Sequence, residues 1–119
     1  MSEMTSNAKV NPIKITVSGE VYELDFSRES IKFAEARQFN PDEVLLYPVT
    51  KIPEFFYYAF RKNHKNVARS QTDAILEKMG GITPAFIERL SQLYTQAALS
   101  HLIVTEEDGA KNAEVTVEM

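Results

Sequence analysis

The side chains best suited to catalysis are few in this chain and lie far apart. His64 and His101 are the only two histidines among 119 residues, and neither has a carboxylate or a second histidine three or four positions away. That spacing would place a base beside its partner, or two metal ligands together, on one helix face. The acids Glu35, Glu77 and Glu88 stand singly on predicted amphipathic helices, where a solvated face explains them. We therefore expect no enzymatic activity.

Metal and cofactor sites lack their usual signals as well. The chain has no cysteine, which excludes a disulfide scaffold, a thiolate nucleophile, an iron–sulfur cluster and a sulfur-based zinc site. Gly80-Gly81 does not match the phosphate-binding pattern G-x-x-x-x-G-K-[ST], and no predicted strand precedes it. Two glycines in this position predict the end of a helix. We expect neither a metal nor a cofactor.

The net charge of the chain comes from its last fifteen residues. The whole chain has 17 acidic and 13 basic side chains, a net charge of −4. Residues 13–104 contain 11 acids and 11 bases, whereas residues 105–119 contain five acids and one base. The folded part should therefore be neutral, which disfavours attraction to nucleic-acid phosphates. The chain shows neither a run of 18 apolar residues nor a signal-peptide pattern, which predicts a soluble, cytoplasmic protein with no membrane partner.

Alternating apolar residues near the N-terminus predict a β-hairpin. If Gly19-Glu20 is a two-residue loop, the alternation places all of the apolar side chains on one face. The predicted cross-strand pairs are Val17 with Tyr22, Ile15 with Leu24 and Ile13 with Phe26. Because two strands are not stable alone in water, this face needs helices, or strands of another copy, packed against it.

The chain after the hairpin shows helical periodicity and helix-start signals. Ser27 is predicted to cap a helix over residues 28–37, and Thr83-Pro84 to open the longest helix, which reaches about Val104. On that helix, His101 continues an apolar stripe that begins at Phe86. The helical segments predicted between these two are a short turn over 42–47, an aromatic helix over 53–64 and, after a Ser70 cap, a helix over 71–79.

These elements predict an α+β fold, with an N-terminal hairpin packed on a bundle of about five helices. The hairpin and helices form a single domain over residues 13–104. Residues 1–12 are small and polar, and residues 105–119 are acidic and lack helical periodicity. Both ends are expected to be flexible and disordered.

The aromatic helix has five aromatic side chains in six positions, F-F-Y-Y-A-F. At 3.6 residues per turn they cannot all face one small core. A predicted inward stripe of Ile52, Phe56, Ala59 and Phe60 leaves three rings on other faces, beside two basic residues. This composition is typical of protein interfaces. The candidate binding residues on this helix are Phe55, Tyr57, Tyr58, Arg61 and Lys62.

Burial is the alternative for these rings, because the hairpin and the last helix could enclose the aromatic helix from two sides. The interface hypothesis predicts that Phe55→Asp or Tyr58→Asp leaves a folded protein that no longer holds its partner. The burial hypothesis predicts that the same substitutions unfold the domain.

A basic cluster follows the aromatic helix and leaves a second function open. It consists of Arg61, Lys62, His64, Lys65 and Arg69, with no acid among them. Basic residues near aromatics can mark a nucleic-acid surface, so a small nucleic-acid-binding regulator using residues 61–69 is one alternative. Cations at a helix C-terminus are also stabilised by the helix dipole, and the neutral domain makes nucleic acid the less favoured partner. A generic protein-interaction module is a further alternative.

Several apolar patterns together resemble the small tail assembly chaperones of long-tailed, siphovirus-like phages and prophages. The resemblance covers about residues 13–102 and depends on structural positions more than on polar motifs. The patterns are I-x-V-x-G-x-x-Y-x-L-x-F from Ile15, R-x-S-I-x-F-x-E from Arg28, the F-F-Y-x-A-F run that follows Pro53 with His64 four residues on, and T-D-x-I-x-x-K-M-G-G from Thr72.

The resemblance implies a cytoplasmic assembly factor that is absent from the mature virion. Such a protein binds the long, helical tape measure protein, keeps it soluble and helps to recruit the major tail protein around it. Several copies per tape measure protein are implied, and a homo-oligomer is plausible. Apolar helical stripes on the partner need adaptable apolar contacts. For that contact we select Phe55, Tyr57, Tyr58 and Met79.

Overall fold

The computed structural model describes residues 9–100, which form a β-hairpin followed by helices. This is an α+β fold, as predicted. It has four α-helices and one 3-10 helix within the described residues, where about five helices were expected. The elements are β1 (Ile13–Val17), β2 (Glu20–Leu24), α1 (Arg28–Ala36), a 3-10 helix (Pro41–Glu43), α2 (Pro48–Phe60), α3 (Arg69–Met79) and α4 (Pro84–Leu99).

The hairpin is confirmed, but the predicted register is wrong by two residues. The strands pair Ile13 with Leu24 and Ile15 with Tyr22, so the turn is Ser18-Gly19 and not Gly19-Glu20. Both turn residues have positive φ, 51° and 84°, which a two-residue turn of type I′ requires. A shift of two preserves the side-chain alternation, so the apolar residues still share one face.

Helix α1 begins as the sequence predicts. The Ser27 hydroxyl accepts a hydrogen bond from the Ser30 amide (3.1 Å), and the Ser30 hydroxyl accepts one from the Ser27 amide (2.8 Å). This reciprocal capping box satisfies two amides that a helix start would otherwise leave unpaired. Ser30, Ile31 and Ala34 form its buried face.

Helix α2 begins five residues before the predicted start. Pro48 takes the first helical turn, where its missing amide hydrogen costs nothing, and Pro53 lies inside the helix. Pro53 cannot donate to the carbonyl of Val49, four residues earlier, but Val49 is exposed and water can bond that carbonyl. The helix ends at Phe60 and not at His64.

Helix α3 follows its predicted segment closely, and α4 begins at the predicted residue, whereas its predicted end near Val104 lies outside the described residues. Ala68, not Ser70, precedes the first residue of α3, and its amide donates to the Gln71 side chain (2.9 Å). Gly80 ends α3 in the left-handed conformation (φ 77°), which glycine adopts without strain. Thr83 caps α4 by accepting from the Phe86 amide (3.1 Å).

One hydrophobic core joins the hairpin to all four α-helices. Helix α2 lies at its centre and contacts β2, α1, α3 and the 3-10 helix. Helix α4 closes the core on the side of α1 through Leu90, Leu93 and Tyr94, all of which are buried. The long-range packing therefore converges on the aromatic residues of α2.

The domain begins before Ile13. The Val10 amide donates to the Gln96 side chain (2.7 Å), and Arg89 donates to the Asn11 carbonyl (3.0 Å). These bonds hold the segment before β1 against α4. The predicted flexible ends are residues 1–12 and 105–119, of which the structure describes only residues 9–12. The predicted position of His101 also lies outside the described residues.

Candidate protein-interaction site

The rings of α2 lie mainly in the core. Phe55, Phe56, Tyr58 and Phe60 are buried, and Tyr57 is half-buried. The prediction that Phe55 and Tyr58 face other surfaces is therefore wrong, and the burial alternative is confirmed for four of the five rings. The reason is that other elements of the same domain cover α2 on several sides, so its buried face is wider than a single stripe.

Phe55 belongs to a four-ring cluster that joins α2 to three other parts of the chain. Its centroid lies 5.6 Å from Phe26, 5.3 Å from Phe39 and 6.0 Å from Tyr94. Tyr58 extends the cluster through Phe39, at 5.1 Å with the rings nearly perpendicular. Aromatic pairs at these distances add stability beyond the area they bury.

The other predicted site residues are at least partly exposed and lie on α2, just after it and at the end of α3. Tyr57 packs beside Phe33 (6.3 Å), Arg61 lies over the same Phe33 ring (3.8 Å), and Lys62 forms an ion pair with Asp25 (2.7 Å). Met79 ends α3 and is 38% exposed. These four remain accessible to different degrees.

His64 has a structural role within the described residues. Its Nε2 atom accepts a hydrogen bond from the Glu23 amide (2.9 Å), and its ring packs edge-to-face against Tyr22 (5.2 Å) and Phe60 (6.2 Å). The imidazole therefore ties β2 to the segment that follows α2. No three His, Cys, Asp or Glu side chains converge as a metal site within residues 9–100.

Within residues 9–100, the longest run of exposed apolar side chains extends from the end of the 3-10 helix into the first turn of α2, and we call it the apolar strip (residues 45–49). The exposed fractions are 74% for Leu45, 69% for Leu46, 59% for Tyr47 and 87% for Val49, and Pro48 is also exposed. Isolated exposed apolar residues are ordinary in proteins. Runs of three or four in sequence are rare without a functional reason, and contiguous apolar patches mark interaction sites.

Hydrogen bonds hold the apolar strip on both sides. Val44 is buried immediately before it, and the Tyr47 amide donates to the Glu43 carbonyl (2.9 Å). After the strip, the Lys51 amide donates to the Tyr47 carbonyl (2.9 Å), and the Lys51 ammonium lies 3.6 Å from Glu43. The exposed side chains are thus presented by a defined backbone, which lowers the entropy lost on binding.

Sequence reasoning missed the apolar strip because it assigned residues 42–47 to a turn of helix and placed the next helix start at Pro53. A usable signal was present. Residues 44–49, V-L-L-Y-P-V, contain no charge and connect two helical segments. Connections run over protein surfaces, so six consecutive apolar residues in one cannot all reach the core.

Burial of Tyr94 makes the fold sensitive to alkaline pH. Removal from water, with a smaller contribution from the Glu35 carboxylate, raises the pKa of Tyr94 from 10.0 to about 12. Burial also raises the pKa of Tyr58. A raised pKa means that stability is complete below pH 10 and is lost as pH rises through 12.

We expect the free energy of unfolding to fall by about 1.4 kcal/mol at pH 11 through Tyr94 alone. Urea unfolding at pH 9 and pH 11 measures this loss, and Tyr94→Phe should reduce it. Tyr47→Phe, at an exposed tyrosine of the apolar strip, is the matched control. An equal alkaline loss in the parent and in Tyr94→Phe would contradict the assignment.

The described part of the chain is an α+β hairpin-and-helices domain whose most distinctive surface is the apolar strip. The chain belongs to the family described as a domain of unknown function, DUF5055, whose model matches residues 1–119. Comparisons with curated proteins and with solved structures gave no match. No helix within residues 9–100 is long and apolar enough to cross a membrane.

Proposed function

We propose that this chain is a tail assembly chaperone of long-tailed phages and prophages, which binds the tape measure protein and keeps it soluble. The apolar strip is the observation that carries the proposal. Its four large side chains, Leu45, Leu46, Tyr47 and Val49, are apolar or aromatic, exposed and neighbouring in sequence, and their backbone is hydrogen-bonded. The resemblance of residues 13–102 to such chaperones supplies the partner.

In the proposed complex, an apolar helix face of the tape measure protein packs against the apolar strip. Leu45, Leu46 and Val49 supply aliphatic area, and Tyr47 adds a ring with one hydroxyl for hydrogen bonding. Aliphatic and aromatic side chains without nearby charge fit a helix face of the same character. Burying one such side chain contributes about 1.5–3 kcal/mol, so three or four provide useful affinity.

The rest of the proposal follows from the same role. The chain acts in the host cytoplasm, helps to recruit the major tail protein to the bound tape measure protein, and is absent from the mature virion. Several copies act on one tape measure protein, and association between copies is part of the proposal. No enzymatic step is involved.

Co-expression in bacteria tests the proposal directly. The proposal predicts that a gene beside that of this chain encodes a long helical tape measure protein, whose soluble fraction is measured with and without the chain. We expect it to stay in the supernatant only when the chain is present, and to co-purify with it. A soluble fraction that does not change would contradict the proposal.

A further inference from the structure

A basic groove lies between α1 and the C-terminal end of α2, apart from the apolar strip. Its volume is about 680 Å³, and five cations line it against the single acid Glu29. We call these five residues the basic groove: Lys32, Arg37, Arg61, Lys62 and Lys65.

Four of the five cations have no carboxylate within ion-pair distance in residues 9–100. Lys62 pairs with Asp25 at 2.7 Å, and the other ion pairs of this part of the chain do not involve the groove. The domain has equal numbers of acids and bases over residues 13–104, so this concentration of positive charge is local. Such a surface attracts an anionic group.

Two of the cations are fixed in place by one aromatic ring. The guanidinium carbons of Arg37 and Arg61 lie 3.6 Å and 3.8 Å from the centroid of Phe33. Arg37 also donates to the Phe33 carbonyl (3.2 Å). A guanidinium stacked on a ring keeps N–H groups at its edge, where a carboxylate can accept two hydrogen bonds.

The chain itself carries an anionic segment a few residues after Ser100, the last described residue. Ser100, the last described residue, lines a neighbouring depression of about 370 Å³ together with Lys62 and Arg28. Six residues later come three consecutive acids, Glu106, Glu107 and Asp108. Six residues of extended chain span up to about 20 Å, enough to reach from Ser100 into a groove that shares Lys62 with this depression.

We propose that the acidic tail (residues 105–119), led by Glu106, Glu107 and Asp108, docks in the basic groove of its own chain. Charge complementarity and the position of Ser100 carry this proposal. A short tether gives the tail an effective concentration in the millimolar range, which a free anionic ligand of equal intrinsic affinity must exceed to displace it. The docked tail would neutralise the groove and limit its contact with nucleic acid or acidic proteins.

Paramagnetic NMR on the full chain tests the docking. Because the chain has no cysteine, Ala110→Cys provides a single site for a nitroxide label. We expect the label to remove most of the amide signal of the groove residues at about 0.01 M salt. The signal should return at about 1 M, where the screening length falls from ~30 Å to ~3 Å.

Charge variants of the labelled chain separate docking from chance contact. Glu106→Gln/Glu107→Gln/Asp108→Asn should restore the groove signals at low salt, whereas the matched control Glu114→Gln/Glu118→Gln should leave the broadening largely in place. Broadening that is absent, or that survives the triple substitution, would overturn the proposal.

Mixed samples identify other occupants. One population of chains carries the nitroxide at natural isotope abundance, and the other is isotope-enriched and carries no nitroxide. If the first population broadens the groove amide signals of the second, the occupant is the tail of a second copy and the proposal fails. A docked tail should also keep a duplex DNA oligonucleotide out of the groove of the parent but not out of the groove of the triple variant. The proposal fails if the oligonucleotide shifts the groove amide signals equally in both. None of these outcomes depends on the tape measure protein, so this proposal and the proposed function are tested separately.

Discussion

Replacing Phe55 by alanine should lower the free energy of unfolding of the domain by about 3–5 kcal/mol. Phe55 is completely buried and touches rings from the segment before α1, from the segment after α1 and from α4. Removing its ring leaves a cavity lined by Phe26, Phe39 and Tyr94, which lie on separate elements and cannot all move inward together. The loss is a large part of the 5–15 kcal/mol typical of a whole domain.

Urea unfolding followed by circular dichroism measures this loss. Val49→Ala is the matched control, because Val49 lies on the same helix but is 87% exposed, and its change should stay within about 0.5 kcal/mol. If Phe55→Ala unfolds at the same urea concentration as the parent, Phe55 is not a core residue and the interface hypothesis for this ring returns.

The same packing changes what is expected of the aspartate variants. The interface hypothesis predicted that Phe55→Asp and Tyr58→Asp would stay folded. With both rings buried, each substitution places a carboxylate in an apolar site, where an unpaired charge costs several kcal/mol. We now expect both variants to unfold, so neither can report on partner binding.

Local signals in the sequence predicted the parts of the fold that depend on neighbouring residues. Ser27 with Ser30, Thr83 with Pro84, and Gly80 mark helix ends through bonds made within a few residues. Alternation in the hairpin fixed which side chains share a face. These features need no knowledge of what the element packs against.

The error in the hairpin register came from a turn energy that the pattern does not contain. The alternation is the same in registers two residues apart, so it could not distinguish a Ser18-Gly19 turn from a Gly19-Glu20 turn. The two turns differ in the residue that takes a positive φ beside Gly19. In the observed turn this residue is Ser18, at φ 51°, and serine adopts this backbone conformation at a modest cost in free energy. The pairing of Val17 with Glu20 follows from that turn.

The burial of α2 could not be read from its own periodicity, because its partners come from distant parts of the chain. Phe60 packs on Tyr22 of β2 (5.3 Å), and Phe56 lies 6.2 Å from Phe86 of α4. A helix enclosed on several sides buries more than one stripe. The exposure of the apolar strip depends on the same long-range packing, which its local pattern does not contain.

The apolar strip is therefore the surface whose loss should most weaken partner binding. We expect Leu46→Asp/Val49→Asp to raise the dissociation constant for a helical peptide of the tape measure protein by about 100-fold or more. Both side chains are more than two-thirds exposed, at 69% and 87%, so the fold should not depend on them. Each aspartate places a carboxylate where the apolar helix face packs. Binding would remove water from that carboxylate, which costs free energy and weakens binding.

Fluorescence anisotropy with the labelled peptide measures the dissociation constant, and thermal unfolding verifies that the double variant melts like the parent. Met79→Asp is the informative comparison, because Met79 is also an exposed apolar residue and was the candidate on α3. If the strip binds the partner, Met79→Asp should change the dissociation constant by less than about threefold. A double variant that binds like the parent, while Met79→Asp binds poorly, would move the interface from the strip to the end of α3.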